Sequence, residues 1–525
     1  MFTETALQIY HQMAEKVLPI LKRQPKSSYI GAALVFLLVA EIRRQLSVPK
    51  HLKKFPTIGV FTLMKSFMRN DSVIERHNRL VAPIVKQGHK FYAAKIPFDW
   101  SLSIVDPEIA KIMLMKSDAF PKSQGFTRKL GDSSLIVRFT GRDNVSISNG
   151  HVWKRQRKFM NPAFRRSTPI KTFGELTLKF FDCVDEQPQD FPAAIKLKNY
   201  TLDALGIAAF DFDFKSLSGD PEGWTEIYNV IMKGMFDPWV FLFGKMEFIL
   251  QYIIPSKREC IKSVVKFNKM LVEMADKRRQ EIQNGKKLNT PNSEKDLLTL
   301  MIEAEMEEGI MTTNEELREN IALFFLAGQD STGNSLSFCL YHLAKNKHVQ
   351  DKLRREIMSV MGDRDLDAIP TVEDFKDMPY LNMVIKENLR LSGPADRFLD
   401  RVVAEDIVLG GELIPKGTLI TVDVASIHYN PEYWHDPEVF IPERFEPNGE
   451  FDQHAGVAWL PFSNGARQCI GMNFSLAEQR VFLTMLLRRY EVGISKDSIH
   501  YDSIVYEQSF TFAPSSLTLN FTKLN

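Results

Sequence analysis

The chain has 525 residues, a formal net charge of +2, 25% charged and 44% hydrophobic residues, an ordinary globular composition whose weak net charge argues against a dedicated nucleic-acid binder. Its four cysteines, Cys183, Cys260, Cys339 and Cys469, lie far apart with no CxxC pair, which excludes a disulfide framework or a cysteine-built zinc site and suits a reducing compartment. The 38 phenylalanines point to a large apolar core or pocket.

From the N-terminus, "LQIYHQMAEKVLPILKR" has apolar residues at helical spacing and is suited to lie along a membrane interface. Then "SSYIGAALVFLLVAEIRR" (27–44) holds 14 uncharged residues between Lys26 and Glu41. At 1.5 Å per residue that run reaches ~21 Å, short of the ~30 Å hydrocarbon core, although Lys26, Arg43 and Arg44 can snorkel. A run of this length is also compatible with a buried core helix. Its near-terminal position and basic flanks favour membrane attachment, and no small-residue cleavage site follows it. "VPKHLKKFP", with Pro49 and Pro56, reads as a stiff basic linker. The expected division is an anchor segment at 1–44, a linker at 45–60 and one large domain at 61–525.

Residues 150–395 read mostly as helix. In "NGHVWKRQRKFMNPAF" (149–164), Trp153 and Arg157 are four apart and share a helix face. They are suited either to clamp an anion or to form part of a plain basic amphipathic helix. The Phe-rich "GMFDPWVFLFGKMEFILQYIIP" (234–255) suits a roof over a greasy ligand, and "NGKKLNTPNSEKD" (284–296) reads as a polar loop between helices. In "TTNEELRENIALFFLAGQDSTGNSLSFCLYHLA" (312–344), Thr313 and Glu316 form a capping box. The helix that follows is apolar on every side from Ile321 to Gly328, so its middle is buried. Gly328, Gln329, Asp330, Ser331 and Thr332 fall in that middle. An acid beside two hydroxyls is costly there, and it marks either a kink or a proton-handling pair beside a buried cofactor.

Farther on, Glu387 and Arg390 of "KENLRL" share a helix face, an arrangement that by itself describes an ordinary solvated ion pair. Arg444 of "PERF" (442–445) is suited either to be part of an ordinary polar loop or to join them in a charge triad. "RVVAEDIVLGGELIPKGTLITVDV" (401–424) and the terminal "FTFAPSSLTLNFTKLN" alternate like short strands. Between them stands "PFSNGARQCIG" (461–471). Cys469 follows Asn464, Gly465 and Arg467, precedes Gly471, and opens a helical pattern. Backbone N–H groups and a guanidinium there are expected to lower its thiol pKa, which leaves a nucleophile, a metal ligand or an inert side chain.

These segments, in this order, resemble the cytochrome P450 family. "PFSNGARQCIG" is similar to its haem-thiolate loop at Phe462, Gly465, Arg467, Cys469 and Gly471. "AGQDST", "ENLR", "PERF" and "WKRQR" resemble four further motifs of the family, and the N-terminal segment resembles membrane-bound fungal members. The resemblance implies a mainly α fold with small β-sheets, a long central helix, and haem b with Cys469 as the iron's axial ligand. It further implies propionate contacts from Trp153, Arg157, Arg401 and Arg467, and a structural triad of Glu387, Arg390 and Arg444. Asp330, Ser331 and Thr332 would form the proton-delivery site. Ser331 stands where the family commonly has Thr, and Gly393–Pro394 where it commonly has Pro-Pro. Asp396 and Arg397 fall near where the family lines its pocket.

The implied function is insertion of one oxygen atom from dioxygen into an apolar, steroid-like small molecule. Electrons would come from an NADPH–cytochrome P450 reductase, with cytochrome b5 as a further partner. The implied location is the endoplasmic reticulum membrane, with the catalytic domain facing the cytoplasm. The alternative is a related isomerase or dehydratase acting on a peroxide without a reductase. Such enzymes are altered in the acid–alcohol pair or the Cys loop, and both are intact here.

Overall fold

The structure is a computed structural model that describes residues 40, 43, 46–69, 71–95, 99–235, 237, 247–285, 291–310, 312–454, 457–507 and 512–524. Two compact units divide at Lys54 and Phe55. In the first, Lys50–Leu52 forms a single 3-10 turn. The expected anchor lies outside the described residues except for Ala40 and Arg43. Among the described residues no helix is long and apolar enough to cross a membrane.

The second unit runs from Phe55 to Asn525 and is mainly helical. Residues 57–60, expected as linker, fold with it. β1 (Thr57–Ile58) pairs in parallel with β2 (Phe91–Lys95), and α1 (Val60–Met68) begins two residues later. β2 continues antiparallel to β3 (Trp100–Ile104), β3 runs parallel to β7 (Leu419–Val422), and β7 pairs with β4 (Arg401–Val402). The five strands lie in the order β1-β2-β3-β7-β4. Gly410 and Gly411 turn the hairpin of β5 (Ile407–Leu409) and β6 (Glu412–Ile414), both with positive φ, which glycine adopts at little steric cost. Near the C-terminus β8 (Tyr490–Gly493) pairs with β11 (Asn520–Lys523), and β9 (Tyr506–Glu507) with β10 (Ala513–Pro514). Both regions expected as short strands are therefore strands.

The helices that place the site are α2 (Gly150–Arg166), α3 (Ile170–Glu186), α4 (Ala193–Phe210), α5 (Pro255–Gln283), α6 (Leu297–Glu307), α7 (Asn314–Lys345), α8 (Pro379–Ser392) and α9 (Met472–Arg489). α7 starts at the expected capping box, with Thr313 accepting from the Glu316 N–H and the Glu316 carboxylate accepting from the Thr313 N–H. It stays α-helical through 327–333 without a break, so the polar residues at its centre do not mark an interruption. α4 comes close there because Gly333 lacks a side chain: a Cβ would lie 2.9 Å from Thr201 Oγ1 and 3.3 Å from Lys198 Cα. Many phenylalanines pack around this crossing. Phe325 of α7 meets Phe210 of α4 at 4.7 Å and Phe267 of α5 at 5.5 Å between ring centroids, pairings that add to plain apolar burial. Most of the Phe-rich segment at 236–246 lies outside the described residues.

Polar side chains join α7, α8 and α9. Thr332 Oγ1 lies 3.0 Å from Ser475 Oγ, and one turn on Ser335 donates to Gln479 Oε1 at 3.0 Å. Asn388 of α8 donates to the Ser335 carbonyl at 2.9 Å. Each bond satisfies a group that burial would otherwise penalise, and together they hold the middle of α7 within about one helical turn of the loop that precedes α9.

Candidate active site

The loop before α9 is shaped by its backbone. Ser463 and Gly465 have φ of 63° and 72°. A Cβ on Gly465 would meet Leu114 O at 2.7 Å, so both the conformation and the close approach require glycine there. Gly465–Arg467 then forms a 3-10 turn, and the Cys469 N–H donates to the Phe462 carbonyl at 2.9 Å. Phe462 anchors the start of the loop by packing against the main core. Gly471 has an ordinary φ of −85°; its contribution is an N–H directed at the Cys469 sulfur.

Cys469 is the exposed member of the four cysteines. Even so, burial pushes its thiol pKa up, with the Gly471 N–H and the Arg157 guanidinium pulling it only partly back. An accessible group so heavily desolvated sits at the bottom of a recess, not on a convex surface. This corrects the expectation of a lowered pKa: the neighbouring charges are as expected, but desolvation outweighs them. A free thiolate nucleophile is therefore disfavoured. A metal ligand is not, because coordination deprotonates a thiol outright. The other three thiols are structural. Cys339 is fully buried and pushed up to about 12, Cys260 bonds the Val230 carbonyl, and Cys183 bonds the Leu217 carbonyl.

Beside the sulfur lies a cluster of cations. Arg157 Nη2 donates to the Gln468 carbonyl at 2.8 Å. The Arg467 guanidinium stacks 3.8 Å above the Trp153 ring and donates to Asn149 Oδ1 at 3.0 Å. Arg401, buried on β4, donates to the Met113 carbonyl at 3.3 Å. Lys122, which sequence reasoning passed over, completes the group through a bridge to Arg401. Burial first, then Arg401 and Arg467, drive its ammonium down to about 7. Burial, then Arg401 and Arg157, drive Arg467 down to about 9. None of the four cations has an ion pair among the described residues. Trp153 Nε1, Arg157 Nε and Arg467 Nε and Nη1 are buried without a protein partner. Natural proteins rarely leave such donors unpaired, so this set fits a bound group carrying two carboxylates. Asn149 was a second omission. Its position suggests a helix cap, but its side chain instead accepts from Lys122 N and donates to Lys122 O, both at 2.9 Å.

The three polar residues of α7 diverge, because successive helix positions point in different directions. Asp330, 8% exposed, faces α4, 3.6 Å from Lys198 Nζ. Burial raises its carboxyl pKa, and Lys198 partly offsets this. Ser331 is partly accessible and donates to the Ala327 carbonyl at 2.7 Å. Thr332 is buried and committed to Ser475.

Glu387, Arg390 and Arg444 do meet, and they form no solvated pair. Glu387 and Arg390 expose no side-chain surface, and Arg444 Nε reaches Glu387 Oε1 at 3.3 Å. Asp396 and Arg397 turn toward β3 and β7, where Arg397 donates to Ser103 Oγ at 2.7 Å. On α2, Arg155 and Lys158 are held by Glu316 and Glu308, while Lys154 is exposed.

The sequence profile described as Cytochrome P450 matches residues 78–521. The chain is 30% identical to cytochrome P450 3A18 of Rattus norvegicus over 426 residues, covering 77% of this chain and 79% of the relative. It is 29% identical to cytochrome P450 4F2 of Homo sapiens over 426 residues, 77% of this chain and 78% of the relative. Among solved structures, the cytochrome P450DA heme domain superposes with a TM-score of 0.73 at 20% identity, covering 90% of this chain and 98% of that one.

Proposed function

The chain belongs to the cytochrome P450 family of haem-thiolate monooxygenases, and from that premise we propose that it inserts one atom of dioxygen into an apolar, rigid polycyclic molecule such as a steroid, with electrons from an NADPH–cytochrome P450 reductase. The observation that carries the reading is Cys469 in a recess beside four cations that make no direct ion pair among the described residues. Cys469 would hold the haem iron, and Trp153, Lys122, Arg157, Arg401 and Arg467 the two propionates. Bound haem supplies the oxygen-activating redox chemistry, which a thiolate ligand favours by pushing electron density toward the iron.

The chain's own residues supply protons and position. Asp330 carries a proton more readily than an exposed carboxyl does, because burial raises its pKa. Lys198 at 3.6 Å holds it on the α4 side, where exchange with solvent is possible. Ser331 Oγ, parked on the Ala327 carbonyl, is the hydroxyl free to pass a proton inward. Lacking the methyl of threonine, it has more rotamers open to it. Thr332 would hold α7 to α9, while Glu387, Arg390 and Arg444 keep the Cys469 side rigid.

The reductase, with cytochrome b5 as a second donor, would dock on the face bearing Lys154 of α2. Attachment to the endoplasmic reticulum membrane, catalytic unit toward the cytoplasm, would come from residues 27–44. Phe61, Met64 and Met68 of α1, exposed by 72%, 52% and 84%, would add a second contact. The deciding experiment is the reduced carbon monoxide spectrum. The thiolate-haem band should persist in Cys183→Ala, Cys260→Ala and Cys339→Ala and vanish in Cys469→Ala. Persistence in Cys469→Ala overturns the reading. A Soret titration with steroids, fatty acids and alkanes then tests the substrate class.

A further inference from the structure

Helix α2 carries most of its cations in two stripes. Lys154, Lys158 and Arg165 stand at i, i+4 and i+11, within about 40° of one another around the helix, and all three are exposed. They make a line about 16 Å long at 1.5 Å per residue. Arg155 and Arg166 lie about 100° farther round and are half-buried. There they pair with Glu316 of α7 and Glu307 of α6, so this inner stripe fastens α2 to its neighbours.

The outer stripe is different. Lys154 and Arg165, near its two ends, have no ion pair among the described residues. A positive line of this kind complements an acidic protein face. Lys158 between them is held by Glu308, and that pair is open to water, its side chains 56% and 37% exposed. Exposed pairs are weak and screened by salt, so Lys158 can change partner without disturbing the fold.

Glu308 stands there against local preference. It caps the C-terminal end of α6, after Glu303, Glu305 and Glu307, with no basic residue in the last turn. A helix C-terminus favours cations over carboxylates. Glu303 is matched by Lys295 and Glu305 by Arg279, whereas Glu307 and Glu308 reach across to α2. Departures from local preference are expected at functional positions. Glu308 occupies the one cation whose neutralisation divides the outer stripe.

We propose that Glu308 is an intramolecular competitor for the electron donor's docking surface: it holds Lys158 in place of a partner carboxylate, and docking requires an acidic protein face that grips Lys154 and Arg165 together while displacing Glu308 from Lys158. This rests on the reading that a reductase docks on α2, and it adds the side chain that sets how readily that face accepts a partner.

The test is surface plasmon resonance of NADPH–cytochrome P450 reductase on the full-length haem protein, using variants that keep the parent's reduced carbon monoxide band. Measurements are made at about 0.1 M and about 1 M salt, where the Debye length is about 10 Å and about 3 Å. At the lower salt Glu308→Gln should tighten binding about two- to fivefold, the equivalent of one exposed ion pair, and the gain should fade at the higher salt. Glu307→Gln changes net charge equally but frees only the inner stripe, so its gain should be clearly smaller. In a Lys158→Met background Glu308→Gln should add nothing, a coupling that a double-mutant cycle isolates. Parent affinity in Glu308→Gln, equal gains from Glu307→Gln and Glu308→Gln, or a full gain in the Lys158→Met background each overturns the proposal and leaves reductase docking standing. Absence of reductase binding in parent and variants alike overturns both.

Discussion

Arg390 grips Glu387 with two parallel hydrogen bonds, Nε to Oε2 at 2.7 Å and Nη2 to Oε1 at 2.8 Å, and neither side chain exposes any surface. Arg390 Nη1 also donates to the carbonyls of His428 and Pro437, both at 2.7 Å, while Glu387 accepts from the Ile441 N–H at 2.9 Å. Removing one partner of such a pair strands a buried charge and costs about 3–5 kcal/mol. Arg390→Leu should lower unfolding free energy by that order and yield protein depleted in haem. Urea titration and haem content of the purified protein check this; a wild-type midpoint would show that the pair is not structural.

The orphaned donors around Arg467 predict how firmly haem is held. Hydrogen bonds to charged groups contribute about 1.5–3 kcal/mol, so Arg467→Leu should speed haem loss by roughly 10- to 100-fold. Trp153→Phe keeps the ring beneath the guanidinium but removes Nε1–H, and should speed it several-fold. Haem transfer to apomyoglobin reads both rates. Parent rates of loss in both variants would mean that these donors do not hold the group.

The divergence of Asp330, Ser331 and Thr332 predicts three distinct phenotypes. Asp330→Asn should slow product formation by about 10²–10⁴-fold, the range of general acid–base steps, with substrate binding intact. Ser331→Ala should still oxidise NADPH but divert reducing equivalents to hydrogen peroxide. Thr332→Ala should keep its coupling and lose about 1 kcal/mol of stability, the usual contribution of one hydrogen bond. Product per NADPH, with thermal unfolding alongside, separates them. Uncoupling in Thr332→Ala and not in Ser331→Ala would exchange their roles.

Acid should unfold the protein partly through His428. Its Nε2 accepts from the Leu460 N–H at 2.9 Å and its Nδ1 faces the Arg390 carbonyl at 3.0 Å, so the neutral ring satisfies both neighbours and a second proton would clash with an N–H. Burial, then Arg390, lowers its pKa to about 3 in the folded state, against 6.5 ordinarily. Between these values the unfolded chain binds the extra proton. Stability from this group is therefore complete above pH 6.5 and falls as pH drops toward 3, by up to about 1.4 kcal/mol per pH unit. His428→Gln should flatten the slope of unfolding free energy against pH in that window. An unchanged slope would place the acid sensitivity elsewhere, His342 being the next candidate because burial holds it down to about 3 as well.

What the sequence determined by itself is local. The capping box at Thr313 and Glu316, the glycine turn at 465 and the alternating runs at 401–424 and 510–525 announce helix, loop and strands, because each depends on backbone preferences within a few residues. The linear order of the motifs was enough to point to the family. Tertiary structure decided the rest. Glu387 and Arg390, which in isolation resemble a surface pair, become a buried anchor only when the 428–444 loop closes over them. The Cys469 thiol rises instead of falling because desolvation is summed over the whole surrounding recess, not over its sequence neighbours. Thr332 and Ser331 part company because adjacent positions on one helix face different partners, and only the packing of α9 assigns one of them to Ser475. Lys122 joins the cation cluster through strand pairing with Arg401, 279 positions later in the chain, and no spacing rule reaches that far.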